Sequence, residues 1–237
     1  LKQVPAAEYN PMECIKTNVI GAENIVMASL KAGVSRVISL STDKAANPIN
    51  LYGASKLASD KIFIAANNLS GENGCRYSVV RYGNVVGSRG SVIPLIKRLL
   101  EEKSDSIPIT DPRMTRFWIT LDQGVDFVLS CLELMQGGEI FVPKIPSMKT
   151  TDLVTALAPG VKQETTGIRP GEKIHETMIT VDDARNTIDM GDRYLIYPAF
   201  GSAPEHKGKP VADGFSYASD SNTEQVSPKL LLQMTKA

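Results

Sequence analysis

The sequence predicts an α/β fold built on a doubly wound parallel sheet. Three observations carry that prediction. The apolar run Val37-Ile38-Ser39-Leu40 reads as a buried strand, a capped helical pattern from about Asn50 to Leu69 follows it, and Tyr77-Ser78-Val79-Val80-Arg81 reads as the next strand. Strand, helix and strand in that order make a right-handed parallel crossover.

Each element has a local reason. Leu1-Lys2-Gln3-Val4 reads as the tail of a strand. Asn10, Pro11 and Glu13 supply an N-cap, a proline at the first helical position and an acid in the first turn. Ile15, Val19, Ala22, Val26 and Leu30 then recur at helical spacing, and Gly33 stands where a C-cap glycine belongs. The helix from about Asn50 has Leu57, Ile62, Phe63 and Ala66 as apolar positions and stops at Gly71. Gly83, Gly87 and Gly90 punctuate a loop before a helix over 92–102, and Lys103-Ser104-Asp105-Ser106 is a polar turn. Ile107-Pro108-Ile109 is a short strand, and Thr120 with Gln123 makes a capping box for a helix through Met135. Glu139-Ile140-Phe141-Val142 is strand-like, and 152–157 a short helix. From about Tyr194, prolines and glycines give loops that close on a short helix after Pro228. No internal repeat or low-complexity segment interrupts this order.

At 237 residues, with 42% hydrophobic and 22% charged residues, the chain can bury one large domain or a domain and a smaller lobe. Charges balance at 26 of each sign, so no basic excess points to nucleic acid or an anionic membrane. Cys14, Cys75 and Cys131 are far apart and His175 and His206 complete the histidines, so neither a metal site nor a disulfide framework is expected. No apolar stretch reaches spanning length and no signal peptide opens the chain, which makes the cytoplasm the expected compartment. Leu1 is not a natural start, and no glycine-rich GxGxxG turn is present.

Two strings carry chemistry. Ser41-Thr42-Asp43-Lys44 lies at the carboxyl end of the first strand, where open parallel sheets place ligands. Tyr52-Gly53-Ala54-Ser55-Lys56 opens the following helix, and its Tyr52 and Lys56 share one helix face. A lysine charge favours a neighbouring phenolate, so a phenol of ordinary pKa about 10 becomes a usable base. A YxxxK string alone is weak, because such pairs occur on any helix; the strand, the Ser-Thr tip and the Pro48 loop ahead of it sharpen it.

That arrangement resembles the short-chain dehydrogenase/reductase superfamily. Longer strings narrow the likeness: Leu1 through Pro11, Ser41 through Pro48, Arg81-Tyr82-Gly83-Asn84-Val85-Val86-Gly87-Ser88-Arg89-Gly90-Ser91, Met114-Thr115-Arg116-Phe117-Trp118-Ile119, and Arg169-Pro170-Gly171-Glu172-Lys173-Ile174-His175-Glu176. Together they resemble the nucleotide-sugar 4,6-dehydratases of polysaccharide and flagellin-glycan biosynthesis, nearest the inverting branch that acts on UDP-N-acetylglucosamine in pseudaminic acid synthesis. The resemblance implies a Rossmann-like doubly wound sheet whose N-terminal strands precede Leu1, with Leu1–Val4 ending the fourth strand. It also implies a dinucleotide-binding portion over 1–135, with a substrate-lobe insertion near 88–118, and a smaller substrate-binding lobe over 136–237.

The resemblance also assigns roles. Tyr52 takes the proton of the sugar 4-hydroxyl, Thr42 hydrogen-bonds that hydroxyl, and Lys56 favours the phenolate and holds the nicotinamide ribose. Asp43 and Lys44 resemble the acid–base pair of the elimination; spacing leaves their order open, and the family pattern suggests Asp43 as acid and Lys44 as base. Tyr82, Gly83 and Val85 line the nicotinamide pocket. Lys2, Asn84, Arg89, Ser91, Arg116, Arg169 and Glu172 are the candidates for UDP-sugar binding, arginine suiting phosphate by its two-pronged fork. NADP is the implied cofactor, with NAD open, and a homo-oligomer, dimer or hexamer, is the implied assembly. The retaining, membrane-bound dehydratases resemble the chain at Asp43-Lys44 but carry Met where Tyr52 stands. A UDP-sugar 4-epimerase and a non-catalytic nucleotide-sugar-binding protein are the other readings; the Asp43-Lys44 pair argues against the first, and the intact set Tyr52, Lys56, Asp43 and Lys44 against the second.

Overall fold

A computed structural model of the chain describes residues 1–71, 74–88, 90–200, 205–227, 230 and 234. The chain opens with α1 (Val4–Tyr9), α2 (Pro11–Ile15), a π-helical turn (Lys16–Ile20) and α3 (Gly21–Lys31). β1 (Arg36–Leu40), a 3-10 turn (Asp43–Ala45), α4 (Leu51–Ser70) and β2 (Arg76–Val80) follow. Next come β3 (Asn84–Val85), α5 (Val92–Glu101), β4 (Ser106–Ile109), β5 (Thr115–Ile119) and α6 (Leu121–Leu134). β6 (Ile140–Pro143), β7 (Ser147–Lys149), α7 (Thr150–Leu157), β8 (Lys162–Thr165), β9 (Thr177–Ile179) and α8 (Val181–Ala184) continue it. β10 (Thr187–Asp189), β11 (Arg193–Ile196), β12 (Lys209–Pro210) and β13 (Tyr217–Ala218) end it. The expected helix after Pro228 falls mostly outside the described residues.

The chain divides into two compact units, neither contiguous in sequence and neither divided at residue 135. The first holds Leu1–Tyr82, Val125–Lys144 and Thr177–Tyr217; the second holds Gly83–Gly124, Ile145–Glu176 and Ala218–Ala237.

The first unit is built on a six-stranded sheet in the order β1-β2-β6-β11-β10-β12. β1 pairs with β2 in parallel from Arg36↔Arg76 to Leu40↔Val80, and β2 pairs with β6 in parallel. The crossover through α4 enforces the first of these pairings. The sheet continues antiparallel at β11, β10 and β12, because the short connection from Asp189 to Arg193 permits only a hairpin return. Val80, Phe141, Leu195, Ile188, Cys131 and Met135 form its core.

Helix α4 explains how the site is held. Asn50 caps it, its Oδ1 accepting from Gly53 N at 2.7 Å, and Gly71 ends it at φ +68°. Its buried face is made of small and polar residues, Gly53, Ser55, Ser59, Asp60 and Ala66, with Phe63 against Tyr77. Small residues let the helix lie close to its neighbours, and the Tyr77 hydroxyl meets Ser29 of α3 at 2.8 Å. At the amino end the expected strand is absent: Leu1 to Gln3 form no regular element and α1 begins at Val4, with Pro5 in its first turn.

The second unit packs α5 and α7 over Trp118, Ile93, Ile96, Ile107, Leu153 and Val154. β3 and β5 are parallel, β5 and β7 antiparallel, and β4 pairs in parallel with β8. The capping box at α6 is present, Gln123 N donating to Thr120 Oγ1 at 3.2 Å and Thr120 N to Gln123 Oε1 at 3.0 Å. Among the described residues no helix is long and apolar enough to cross a membrane, and no group of three or more His, Cys, Asp or Glu is placed to hold a metal ion.

Candidate active site

The carboxyl ends of β1 and β2 are stitched together. Ser41 N donates to Val80 O at 2.7 Å and Asp43 N to Tyr82 O at 3.1 Å. Thr42 then starts the 3-10 turn, its Oγ1 accepting from Lys44 N at 3.4 Å. This places Thr42, Asp43 and Lys44 in the crevice outside the strand ends, beside the first turn of α4.

Four side chains are grouped there. Tyr52 is the outermost, and the Thr42 hydroxyl is the hydrogen-bonding group that most lowers its phenol. Thr42 Oγ1 donates to Asp43 Oδ1 at 2.9 Å, and Lys44 Nζ donates to the same oxygen at 3.0 Å. Asp43 is wholly buried, and its Oδ2 has no hydrogen-bond partner among the described residues. Buried polar atoms are rarely left so, which marks Oδ2 as an acceptor or donor aimed at something else. Thr42 has one hydroxyl proton, so it serves either Asp43 or an ionised Tyr52.

Burial and charge act on these groups in opposite senses. Burial pushes the Tyr52 phenol above its ordinary value; the Thr42 hydrogen bond and then the Lys44 charge pull it down. Lys44 is thus the cation that lowers Tyr52 in this arrangement. Burial lowers Lys56, and Asp60 opposes that. Among the described residues nothing hydrogen-bonds to the Lys56 ammonium. Tyr82, half-buried, is raised by burial. Lys2 is exposed ahead of α1, and no described contact ties it to Tyr52 or Asp43.

The remaining candidates belong to the second unit, and Arg89 lies outside the described residues. A Cβ on Gly83 would lie 2.5 Å from Phe117 Cβ, so only glycine lets the chain pass β5 there. Asn84 and Val85 form β3, half-buried. Ser91 caps α5 from a backbone position, its Oγ buried and without a hydrogen-bond partner among the described residues. Arg116 turns into its own unit: Nη1 donates to Thr115 O at 2.7 Å and Ile174 O at 3.0 Å, and Nη2 to Lys173 O at 2.9 Å. It thereby ties β5 to the Arg169–Glu176 segment. Arg169, exposed, reaches Glu172 Oε1 at 3.8 Å, while Glu172 Oε2 is buried without a hydrogen-bond partner among the described residues.

Sequence reading passed over Asp60 and Ser41. Asp60 is fully buried on α4 and accepts from Ser41 Oγ at 2.6 Å. Its spacing of four from Lys56 was the available signal.

Comparison with known proteins gives the same outline. Residues 1–198 match the family described as polysaccharide biosynthesis protein. A UDP-N-acetylglucosamine 4,6-dehydratase (inverting) of Campylobacter jejuni is 56% identical over 244 residues, covering 99% of this chain and 73% of that protein. A UDP-glucose 4-epimerase of Rickettsia canadensis is 42% identical over 200 residues, covering 83% of this chain and 58% of that protein. The X-ray structure of Pen from Bacillus thuringiensis superposes with a TM-score of 0.89 at 32% identity, covering 99% of this chain and 72% of that one.

Proposed function

The chain belongs to the polysaccharide biosynthesis protein family, and from that premise we propose that it is a nucleotide-sugar 4,6-dehydratase that converts UDP-N-acetylglucosamine to the 4-keto-6-deoxy sugar with inversion at C5. The observation that carries this reading is the group Tyr52, Thr42, Asp43 and Lys44. Dehydration needs a base at the 4-hydroxyl and a separate acid and base at C6 and C5. That group offers all three within one turn and the strand tip beside it.

The residues present fit the nicotinamide end of a dinucleotide. Lys56 donates no hydrogen bond among the described residues, shares a face of α4 with Tyr52 and has Asp60 as the charge that opposes its burial. We assign Lys56 and Tyr52 to the nicotinamide ribose, with Tyr82, Gly83 and Val85 around the ring; the chain has no GxGxxG turn for the pyrophosphate. When bound, NADP or NAD takes a hydride from C4 and returns it at C6.

With the Thr42 hydroxyl turned from Asp43 to support it, Tyr52 as phenolate removes the proton of the 4-hydroxyl and becomes the neutral phenol. The resulting 4-ketone acidifies C5. Lys44 as amine takes the C5 proton, the C6–O bond breaks, and Asp43 gives its proton to the departing hydroxyl, which leaves as water. Inversion requires that the proton returned to C5 arrive on the face opposite Lys44, so its donor is a group other than Lys44, and Lys44 passes the proton it took back to Asp43, to which its Nζ is hydrogen-bonded. In the second unit Asn84, Arg89, Ser91, Arg169 and Glu172 are assigned to the UDP group, and Arg116 either to it directly or through the segment it ties down. Lys2, exposed ahead of α1 in the first unit, is assigned to the substrate as well. We place the product in the synthesis of surface or flagellin glycans such as pseudaminic acid, in the cytoplasm, with a homo-oligomer as the working assembly.

Likeness to the Rickettsia epimerase favours 4-epimerisation as the second reading. An epimerase uses Tyr52 and the hydride but has no need of the Asp43–Lys44 pair. Incubation of the full protein with UDP-N-acetylglucosamine and NADP, followed by NMR, separates the two. A 4-keto-6-deoxy product with inverted C5 supports the dehydratase. UDP-N-acetylgalactosamine supports the epimerase, and unchanged substrate counts against both.

A further inference from the structure

Asp60 has no part in the steps above, yet its carboxylate is wholly buried in the first unit. It lies on α4, one turn past Lys56 and two past Tyr52. Oδ2 accepts from Ser41 Oγ at 2.6 Å, and Oδ1 has no hydrogen-bond partner among the described residues. Ser41 is the residue between the end of β1 and Thr42. Burial pushes this carboxyl above the ordinary aspartate value, and the Arg81 charge, the Ser41 hydrogen bond and the charges of Lys56 and Lys61 pull it back toward the carboxylate.

The groups that face it come from several elements. Lys56 and Lys61 share its helix, Ser41 comes from the end of β1, and Arg81 from the end of β2. Arg81 is itself buried; its Nη1 donates to Met178 O at 2.8 Å and reaches Asp183 Oδ2 of α8 at 3.4 Å, while its Nε has no hydrogen-bond partner among the described residues. The carboxyl thus lies in the field of a structural arginine and of the lysine assigned to the ribose.

We propose that Asp60 is a positioning residue, which pins the Thr42 end of β1 to the Tyr52 helix through Ser41 and supplies the counter-charge of Lys56. Two separable effects follow. The hydrogen bond to Ser41 fixes how Thr42 meets Tyr52. The charge keeps the buried Lys56 ammonium protonated, because burial alone drives it toward the neutral amine and Asp60 is what opposes that.

This inference rests on the dehydratase reading for its kinetic effect, and the test keeps the two apart. In the full protein, lysines are reductively 13C-methylated and Lys56 is titrated by NMR without cofactor, its signal assigned by its loss in Lys56→Arg. Asp60→Asn keeps the size and an oxygen for Ser41 but removes the charge. The Lys56 midpoint should fall by about 1 pH unit, and the alkaline limb of kcat should move down with it. Ser41→Ala keeps the charge, so the Lys56 midpoint should stay while kcat falls about tenfold. An unmoved Lys56 midpoint in Asp60→Asn overturns the counter-charge role, and unchanged kcat in Ser41→Ala overturns the pinning role. If Asp60→Asn does not fold, Ser41→Ala decides. A wild type without dehydratase turnover refutes the reaction assigned above, and the titration still judges Asp60.

Discussion

A Cβ on Gly53 would lie 2.2 Å from the carbonyl oxygen of Lys44 and 3.1 Å from Pro48 Cβ. The first turn of α4 therefore rests directly on the turn that carries Asp43 and Lys44. The glycine between Tyr52 and Lys56 is the contact that sets how far the phenol stands from the acid–base pair. Gly53→Ala must push the two backbones apart by several tenths of an ångström, since a carbonyl cannot swing away as a long side chain can. The expected loss is at least about tenfold in kcat and about 1–3 kcal/mol in stability. Steady-state kinetics and the denaturant midpoint check it, and an alanine variant with wild-type kcat would contradict the assigned geometry.

Asp43→Asn separates dehydration from the other chemistry open to this scaffold. The amide keeps the shape and accepts from Lys44, but it cannot deliver a proton to the departing 6-hydroxyl. Product should fall by roughly 100-fold or more, while a 4-keto sugar that retains its 6-hydroxyl becomes detectable by mass spectrometry. Wild-type product formation in this variant would remove Asp43 from the reaction.

Thr42 bears on pH. Burial raises the Tyr52 phenol, and the Thr42 hydrogen bond is the first influence pulling it back. The phenolate is the working form, so activity rises with pH through this group. Thr42→Val removes the bond, raises the phenol further and moves the acid limb of kcat to higher pH. Each unit of movement costs about tenfold in rate on that limb. A pH–rate profile would show partial recovery in alkali; a uniform loss at all pH would assign Thr42 to substrate positioning alone.

How much of this was legible in the sequence follows from what is local. β1 was read to within a residue of its bounds, and α4 to within a residue at each end, because Asn50 and Gly71 are signals that neighbouring residues supply. The same locality put Thr42, Asp43, Lys44 and Tyr52 at one strand tip. β5 escaped, since its burial is nearly continuous and leaves no alternation to read. Leu1–Val4 misled because four residues, two of them polar, are too few to carry a period, and Pro5 favours a helix start. Asp60 within a helical pattern looks like a solvated charge. Only tertiary packing brings Ser41 and Arg81 to it. Arg116 likewise looks free in sequence, though carbonyls of Lys173 and Ile174 occupy its guanidinium.

An ion pair in the second unit gives an acid-range prediction. Asp111 is held down to about 2 by hydrogen bonds from the Arg113 side chain and backbone, with the guanidinium charge adding to them. Arg113 Nη2 lies 2.7 Å from its carboxylate. A depressed carboxyl stabilises the fold above its unfolded pKa of about 3.9 and loses that contribution as pH falls through its folded value. The window is thus about pH 4 down to 2. Arg113→Ala should return the Asp111 titration, read by carboxyl 13C NMR, toward the ordinary aspartate value. It should also flatten the acid unfolding curve within that window. An unmoved Asp111 would show that the backbone bond alone holds it.

Glu139 is wholly buried in the first unit, and every donor around it can be named. Oε1 accepts from Gln136 N at 2.7 Å and faces His206 Nε2 at 2.9 Å; Oε2 accepts from Gly137 N at 2.8 Å and from the Ser78 hydroxyl. Glu139→Gln keeps the shape but exchanges one oxygen for an NH2 group. Ser78 and His206 can turn or change tautomer to accept from it, but a backbone amide cannot. Each oxygen position receives one backbone N–H, so either orientation of the new amide sets N–H against N–H. The variant should lose about 2–4 kcal/mol, whereas Ser78→Ala, which removes one neutral donor, should lose about 1. Urea midpoints of the two variants measure the difference. Equal losses would mean that the cavity at Ser78, and not the pairing at Glu139, governs this corner of the sheet.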